Sequence, residues 1–586
     1  MPLVREQDST VAGDVSEREV HAQLDRILQN KVFKNSERLQ RFLKFAIECV
    51  LDGTTDRLKE SVLGRVVFDR GSEFDPRTDS IVRQEAARLR GKLREYYEID
   101  GSDDPVAIQF KEGSYVPVFV RSHLQGPLNP RTVAVLPLVN QSPARDYFCE
   151  GIADYIINTL SRIPGLNVIG RISMFHFKGQ DARSVGARMR AGIAVDGTFW
   201  ASGNRLKIFT EVIDVATGEV RWAETYERPV NDVFAVAAEI AEAVARLLNT
   251  KLTLRKPIPD APNMDAYLLS LHGRHALSRW TAEGARTAAE IFESATSLYP
   301  SYASAYAGLA LAYVSFMMWE LGRAHEVAPK ALHAAQQALE LDSTLPHAYA
   351  CFGLITAFYK WKWNQGTAYA RKATELAPSD PSSQVIYGLC ILAHGKMDDA
   401  LECFERAVVL DPFSVLSNRW RGAALFLAHR FASAEQSLQA ALTLNSDSIE
   451  TRSLLARTYM AQGRFDVALE LAETCRSNPI GLSVLGACLA HLNRREEAVR
   501  ILATLSRMAE CGYVPLRAFA RMHLALGNTD RTIEYLARSL DEREGPMPFL
   551  KLDPEWDPLH QDPRFAELAA RPGAARADLA KIRRRR

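Results

Sequence analysis

The chain has 586 residues, with 72 Lys and Arg against 71 Asp and Glu and a formal net charge of +1. Such a balance excludes a whole-molecule field that would announce a nucleic-acid or membrane partner, so any basic surface must be local. Hydrophobic residues at 47% and charged ones at 24% are ordinary for a soluble globular protein, and the length suggests about three to four domains.

The opening "MPLVREQDSTVAGDVSEREV" has no apolar run for a signal peptide. No stretch of about 18 uninterrupted apolar residues suggests a transmembrane helix. The eight cysteines (Cys49, Cys149, Cys351, Cys390, Cys403, Cys475, Cys488 and Cys511) are scattered, with no Cys-x-x-Cys pair. That argues against a zinc ribbon or thioredoxin-type site, and they read as small buried apolar residues in a reducing cytoplasm. No metal or cofactor is expected.

Residues 1–17 read as a disordered tail and 18–122 as the first module. "HAQLDRILQN", "SERLQRFLKFAIECVLDG" and the shorter "DRLKESVLGRVVF" are amphipathic helices, with Ser36 placed to cap the second. After the turn-rich "DRGSEFDPRTD" comes "IVRQEAARLRGKLREYYE", Ile81 to Glu98, which Asp79 is placed to cap. Arg77 to Arg94 holds six basic residues and two acidic ones. At about 100° per residue, Val82, Ala86, Leu89, Leu93 and Tyr96 form one apolar face. Arg83, Arg90 and Arg94 fall on another, flanked by Arg88 and Lys92. Gly91 sits mid-helix, at a cost of about 1 kcal/mol relative to alanine. "VAIQF" and "YVPVFV" then flank "KEGS", a hairpin with Lys111 near its tip and Gly113 in the turn.

Helix, helix, helix and hairpin is the order of a winged helix. The stretch "IVRQEAARLRGKL…VAIQFKEGSYVPVF" resembles the recognition helix and wing of response-regulator output domains, although the four-stranded sheet that opens those domains is replaced by helices. The resemblance implies DNA as a partner, with Arg83, Arg88, Arg90, Lys92, Arg94 and Lys111 meeting phosphates and base edges. The bland alternative is a solvated helix whose arginines pair with Glu85 and Glu95.

Residues 130–252 alternate strands and helices, an α/β layer pattern. "TVAVLPLV", "LNVIG" and "IAVDGTFWAS" are strands, "YFCEGIADYIINTLSRI" and "ARSVGARMRA" helices. "RLKIFTEVIDVATGEVRWAETYE" is a hairpin around Thr217-Gly218, and "VFAVAAEIAEAVARLL" a closing helix. These segments resemble the TolB-like domain, which in bacterial regulators often precedes tetratricopeptide arrays. The resemblance implies a non-enzymatic sensory or interaction module. No phosphate loop or nucleophile elbow is present. His176, alone in "MFHFKG", reads as structural. Some chains of this architecture carry a cyclase domain ahead of the same two modules. Here the first module stands in that place, without the paired metal-binding aspartates that cyclase chemistry needs.

Residues 260–570 are helical and repetitive. Leu376, Leu410 and Leu444 lie 34 residues apart, as do Gly388, Gly422 and Ala456, then Ala400, Ala434 and Ala468, and Ala407, Ala441 and Cys475. From Pro381 to Ser414 this period, with Gly388, Ala400, Phe404, Ala407 and Pro412, resembles the tetratricopeptide repeat, in which small residues let two helices approach. Ser446 stands where a proline would stop the helix, the repeat near Asn493 is shortened, and Leu298 to Leu341 holds extra residues. The family's all-α superhelix implies a protein or peptide in its concave groove, or a role in spacing or oligomerising the other domains. "FYKWKWNQ", Phe358 to Gln365, reads as gap-filling aromatics, with a ligand patch as the lesser alternative. Residues 571–586, ending "KIRRRR", form a basic tail. The combined reading is a non-enzymatic cytoplasmic transcriptional regulator with three folded parts. A protein-binding scaffold without DNA is the competing one.

Overall fold

In a computed structural model of the chain, the described residues are 10–11, 15–34, 36–52, 54–71, 74–75, 79–101, 104, 106–110, 114–121, 128–142, 146–248 and 264–571. Contacts divide the chain into a unit of residues 1–129 with 187–191, and a unit of 130–186 with 192–586.

The smaller unit begins with a two-residue antiparallel ladder of β1 (Thr10–Val11) and β2 (Val15–Ser16), inside the segment expected to be a tail. Helices α1 (Glu17–Gln29), α2 (Lys31–Lys34), α3 (Glu37–Leu51), α4 (Glu60–Val66) and α5 (Ile81–Ile99) follow. The hairpin β3 (Val106–Phe110) and β4 (Pro117–Arg121) pairs Ile108 with Phe119 at its centre; its turn lies outside the described residues. Val20, Ile27, Phe42, Leu43, Ile47, Leu63 and Val106 share one buried core with the apolar face of α5. Ser36 precedes α3, but its hydroxyl accepts no capping bond, contrary to the sequence expectation. The N-cap of α5 is Ser80, not Asp79 as expected, and it makes no side-chain capping bond; Asp79, one residue earlier, accepts from the Ile81 N–H at 3.0 Å.

The larger unit opens with a sheet of order β10-β9-β8-β5-β7. Its strands are β5 (Asn129–Val135), β7 (Asn167–Val168), β8 (Ala191–Ser202), β9 (Arg205–Asp214) and β10 (Val220–Pro229); β6 (Val139–Asn140) also pairs with β8. The β8–β9–β10 meander is antiparallel, and Gly218 supplies the φ of 78° that its second turn needs. Leu206, Ile208, Thr210 and Val212 alternate inward along β9, the period of a sheet with one covered face. Helices α6 (Asp146–Leu160) and α9 (Val233–Leu247) pack together. Besides α8 (Ala182–Arg188), the structure adds a helix that the strand–helix pattern did not reveal, α7 (Arg171–His176).

Sixteen helices then run in antiparallel pairs among the described residues, from Met264–Ser278 to Thr529–Asp541. Leu376, Leu410 and Leu444 are each the last residue of a helix. Ala400, Ala407, Ala434, Ala441, Ala456, Ala468 and Cys475 are fully buried where paired helices meet. A Cβ on Gly422 would stand 2.7 Å from Leu438, so this column requires small residues. The buried-cysteine expectation fails at Cys511, which is exposed, and at Cys403, which is half-buried.

Sheet and array are joined by a buried polar seam around α7. Asp411 accepts from the Ser173 N–H at 2.8 Å and from the Ser173 hydroxyl. The Gly170 N–H donates to the Leu410 carbonyl at 2.7 Å, and the Ser379 hydroxyl to the Leu166 carbonyl at 2.5 Å. Asp154 pairs with Arg171 and Arg274 at 3.3 and 3.0 Å. His176 stacks on Phe413 with ring centroids 4.6 Å apart, a packing role as expected. A fragment of 264–571 leaves Asp411 and Ser379 without these partners. It should melt at least about 5 °C below a fragment of 128–571 in circular dichroism.

Burial pushes the Asp411 carboxyl up from 3.8 to about 6, against the Ser173 bonds that favour its ionised form. Folding therefore favours proton uptake at Asp411. Its contribution to stability strengthens as pH falls from about 6 towards 3.8, and weakens as pH rises through 6. Asp411→Asn should flatten that part of the stability–pH curve in denaturant titrations.

Candidate functional site

On α5, Val82, Ala86, Leu89, Leu93 and Tyr96 are all buried, as the period predicts. The helix is tied down at its C-terminal end. Gln23, fully buried, and the Tyr96 hydroxyl each donate to Asp104 at 2.5 Å. The Tyr97 hydroxyl accepts from the Ile108 N–H at 2.7 Å, which ties helix to hairpin. Burial raises both tyrosine pKa values, so the two hydroxyls stay neutral. From the other side, the Tyr115 hydroxyl donates to Glu60 at 2.5 Å.

Opposite the buried stripe, at about 100° per residue, the centre of the outer face falls on Gln84, Ala87 and Gly91, all exposed. Nothing stands within 4 Å of a Cβ placed on Gly91, so packing does not require a glycine there. Arg83 and Arg88 flank this centre and are exposed. Arg90 is half-buried, which corrects its expected solvent-facing place, and Lys92 is also half-buried. Arg83 lies 3.9 Å from Glu60, Arg88 3.8 Å from Glu85 and Lys92 2.6 Å from Glu95. The last two are the pairings expected of a solvated helix, and exposed pairs of this kind are worth about 0–1 kcal/mol. The Arg94 side chain and Lys111 lie outside the described residues.

The sequence did not disclose the inner face of the array. First helices of successive pairs contact one another and form an inner layer, against which residues 546–559 lie. Arg457, on Ile449–Ala461, donates to Asp553 at 2.6 Å, and Arg521 forks onto Glu555. Arg517 forks onto Glu320 at 2.9 and 3.3 Å, joining the last repeat to the third helix of the array. Arg543 lies over Tyr359 and Trp361. Phe358 meets Phe549 edge-on, so the aromatics of "FYKWKWNQ" fill an internal joint. Burial works to push the Glu555 carboxyl up, but Arg521, Arg457 and Arg517 together hold it at about 2. The groove expected to take a partner is thus lined in part by the chain's own segment. Its sequence signal was three Asp-Pro steps: Asp553 and Asp562 each cap a helix whose next residue is proline.

Residues 425–475, 362–415 and 392–449 match the tetratricopeptide repeat family. The chain carries tetratricopeptide repeats. It is 31% identical over 248 residues to a Rhizobium meliloti (strain 1021) protein provisionally named adenylate cyclase 3, covering 40% of this chain and 42% of that one. It is 20% identical over 260 residues to the transcriptional regulator HilA of Salmonella typhimurium, covering 44% and 46%. The chain therefore matches less than half the length of either relative. Among solved structures, Pseudomonas aeruginosa pilF is 16% identical over 35% of this chain and 91% of its own, with a TM-score of 0.29. The human IFIT1 dimer with m7Gppp-AAAA is 14% identical over 52% and 77%, with a TM-score of 0.37.

The geometry of α5 separates packing from surface chemistry. Leu89→Ala should destabilise the protein by about 2–5 kcal/mol in denaturant titration. Gly91→Ala should stabilise it by about 1 kcal/mol, because the site is open and alanine is the better helix former.

Proposed function

We propose that the chain is a non-enzymatic transcriptional regulator that binds DNA through the outer face of α5 and a protein partner through its repeats. One observation carries the reading: Ala87 and Gly91 keep much of the middle of that face small, with Gln84 beside them and Arg83 and Arg88 on its shoulders. A helix enters a major groove only where its backbone can come close to base edges, and arginines at the shoulders then reach phosphates. The braced hairpin stands where a winged helix holds its wing, supporting the likeness to response-regulator output domains. Similarity to HilA, a transcriptional regulator, points the same way. The sheet is read as a TolB-like domain that links the two activities without catalysis of its own. The repeats imply protein–protein interaction.

The pairing of Arg88 with Glu85 and of Lys92 with Glu95 favours a second reading, a scaffold without DNA. An electrophoretic shift of the full chain on its own upstream DNA separates the two. At low salt the parent should bind, with affinity falling by a log–log slope of about 0.9 for each phosphate contact. Arg83→Ala with Arg88→Ala should lower that slope by about two. Gly91→Gln should abolish the shift while leaving the melting temperature at or above that of the parent. If the parent gives no shift at low salt, or if these variants bind as it does, the scaffold reading replaces the regulator.

A further inference from the structure

Inside the curl of the array, a cavity of about 100 Å³ lies where early and late repeats meet. It continues past Met318, Trp319 and Trp420 into a smaller one of about 30 Å³ beside Trp280. Three arginines near or in this space are matched with acids: Arg457 with Asp553, Arg517 with Glu320 and Arg521 with Glu555. Arg419 is different. Its guanidinium lies over the Trp420 ring at 5.0 Å, and its Nε and Nη1 are buried without a hydrogen-bond partner among the described residues. The Nε of Arg457, on the same wall, is likewise unpartnered. Burial lowers the Arg419 pKa to about 10, with Glu450 as the acid that counters it. The group nevertheless remains charged at neutral pH.

A half-buried cation with two buried, unmet donors is costly, and such a cost persists where a ligand supplies the missing acceptors. The cavity is too small for a peptide. Besides Glu320, Glu450, Asp553 and the arginines, its walls are mostly aromatic and aliphatic and suit a flat body of about the size of a benzene ring. We propose that this cavity is a binding site for a small organic carboxylate, whose carboxylate oxygens accept from Arg419 and whose flat apolar body lies among Trp420, Trp319 and Phe426. The wall includes Met318 and Glu320 from early in the array and Arg517 and Phe549 from late in it. Occupancy therefore ties the closure of the curl to the ligand. The inference stands independently of DNA binding.

The test is thermal melting and titration calorimetry of the full chain with benzoate, phenylacetate and benzyl alcohol. Either carboxylate should raise the melting temperature in proportion to the logarithm of its concentration, while benzyl alcohol should not. Arg419→Gln should bind the carboxylate at least about ten-fold more weakly, the loss of a charge-assisted hydrogen bond. Its own unliganded melting temperature should equal or exceed that of the parent, because two buried, unmet donors have gone. Ala423→Leu, which fills the cavity and keeps the arginine, should also lose the response. The proposal is overturned if neither carboxylate binds, if either variant responds like the parent, or if Arg419→Gln melts well below it and so reveals a structural arginine.

Discussion

The array depends on how closely two helices can approach where one of them carries no more than a methyl group. Gly422 leaves room for Leu438, and Gly388 leaves room for Phe404, whose ring would stand 3.1 Å from a Cβ. With alanine repeated at the same columns, each pair meets its neighbour in nearly the same way, and a fixed step repeated becomes a curl. After eight pairs among the described residues, Arg517 reaches Glu320 across 197 positions of sequence. Larger residues in these columns would change the step, and the joint would not close.

Closure creates an interior where charge becomes expensive. Glu555 tolerates burial because three arginines converge on it, and Arg517 because Glu320 and Asp553 face it. Burial alone would lower the Arg517 pKa; those carboxylates raise it instead. Such clusters add little net stability relative to apolar packing, but removing one member strands its partner. They therefore fix which repeat meets which. The residues 546–559 that supply several of the acids hold the joint from inside, so the inner face is already shaped by the chain itself.

The smaller unit solves a different problem with the same means. Its α5 buries five apolar side chains to hold still, and its tyrosines tie it to the hairpin at Asp104 and Ile108. The outer face is then free to be small over much of its middle and cationic at the edges. Glu60, Glu85 and Glu95 hold several of those cations near the helix surface. Such weak exposed pairs can exchange for phosphate oxygens at little cost.

The 34-residue columns, the buried stripe of α5 and the β9–β10 hairpin were legible in the sequence, because each reflects which side of a single element faces its immediate neighbour. The sequence by itself therefore determined the elements and the repeat class. Ser36 holds the N-cap position as expected but its hydroxyl makes no capping bond, since that bond depends on a backbone angle that the residue type does not set. Cys511 looked like core and is exposed, because composition cannot say where a helix ends relative to its neighbours. The six-residue helix that receives Asp411, the joint between Glu320 and Arg517, and the unmatched Arg419 were decided only by tertiary structure. Each rests on partners far apart in sequence, whose meeting is fixed by angles accumulated over many packed helices, and no local period records that sum.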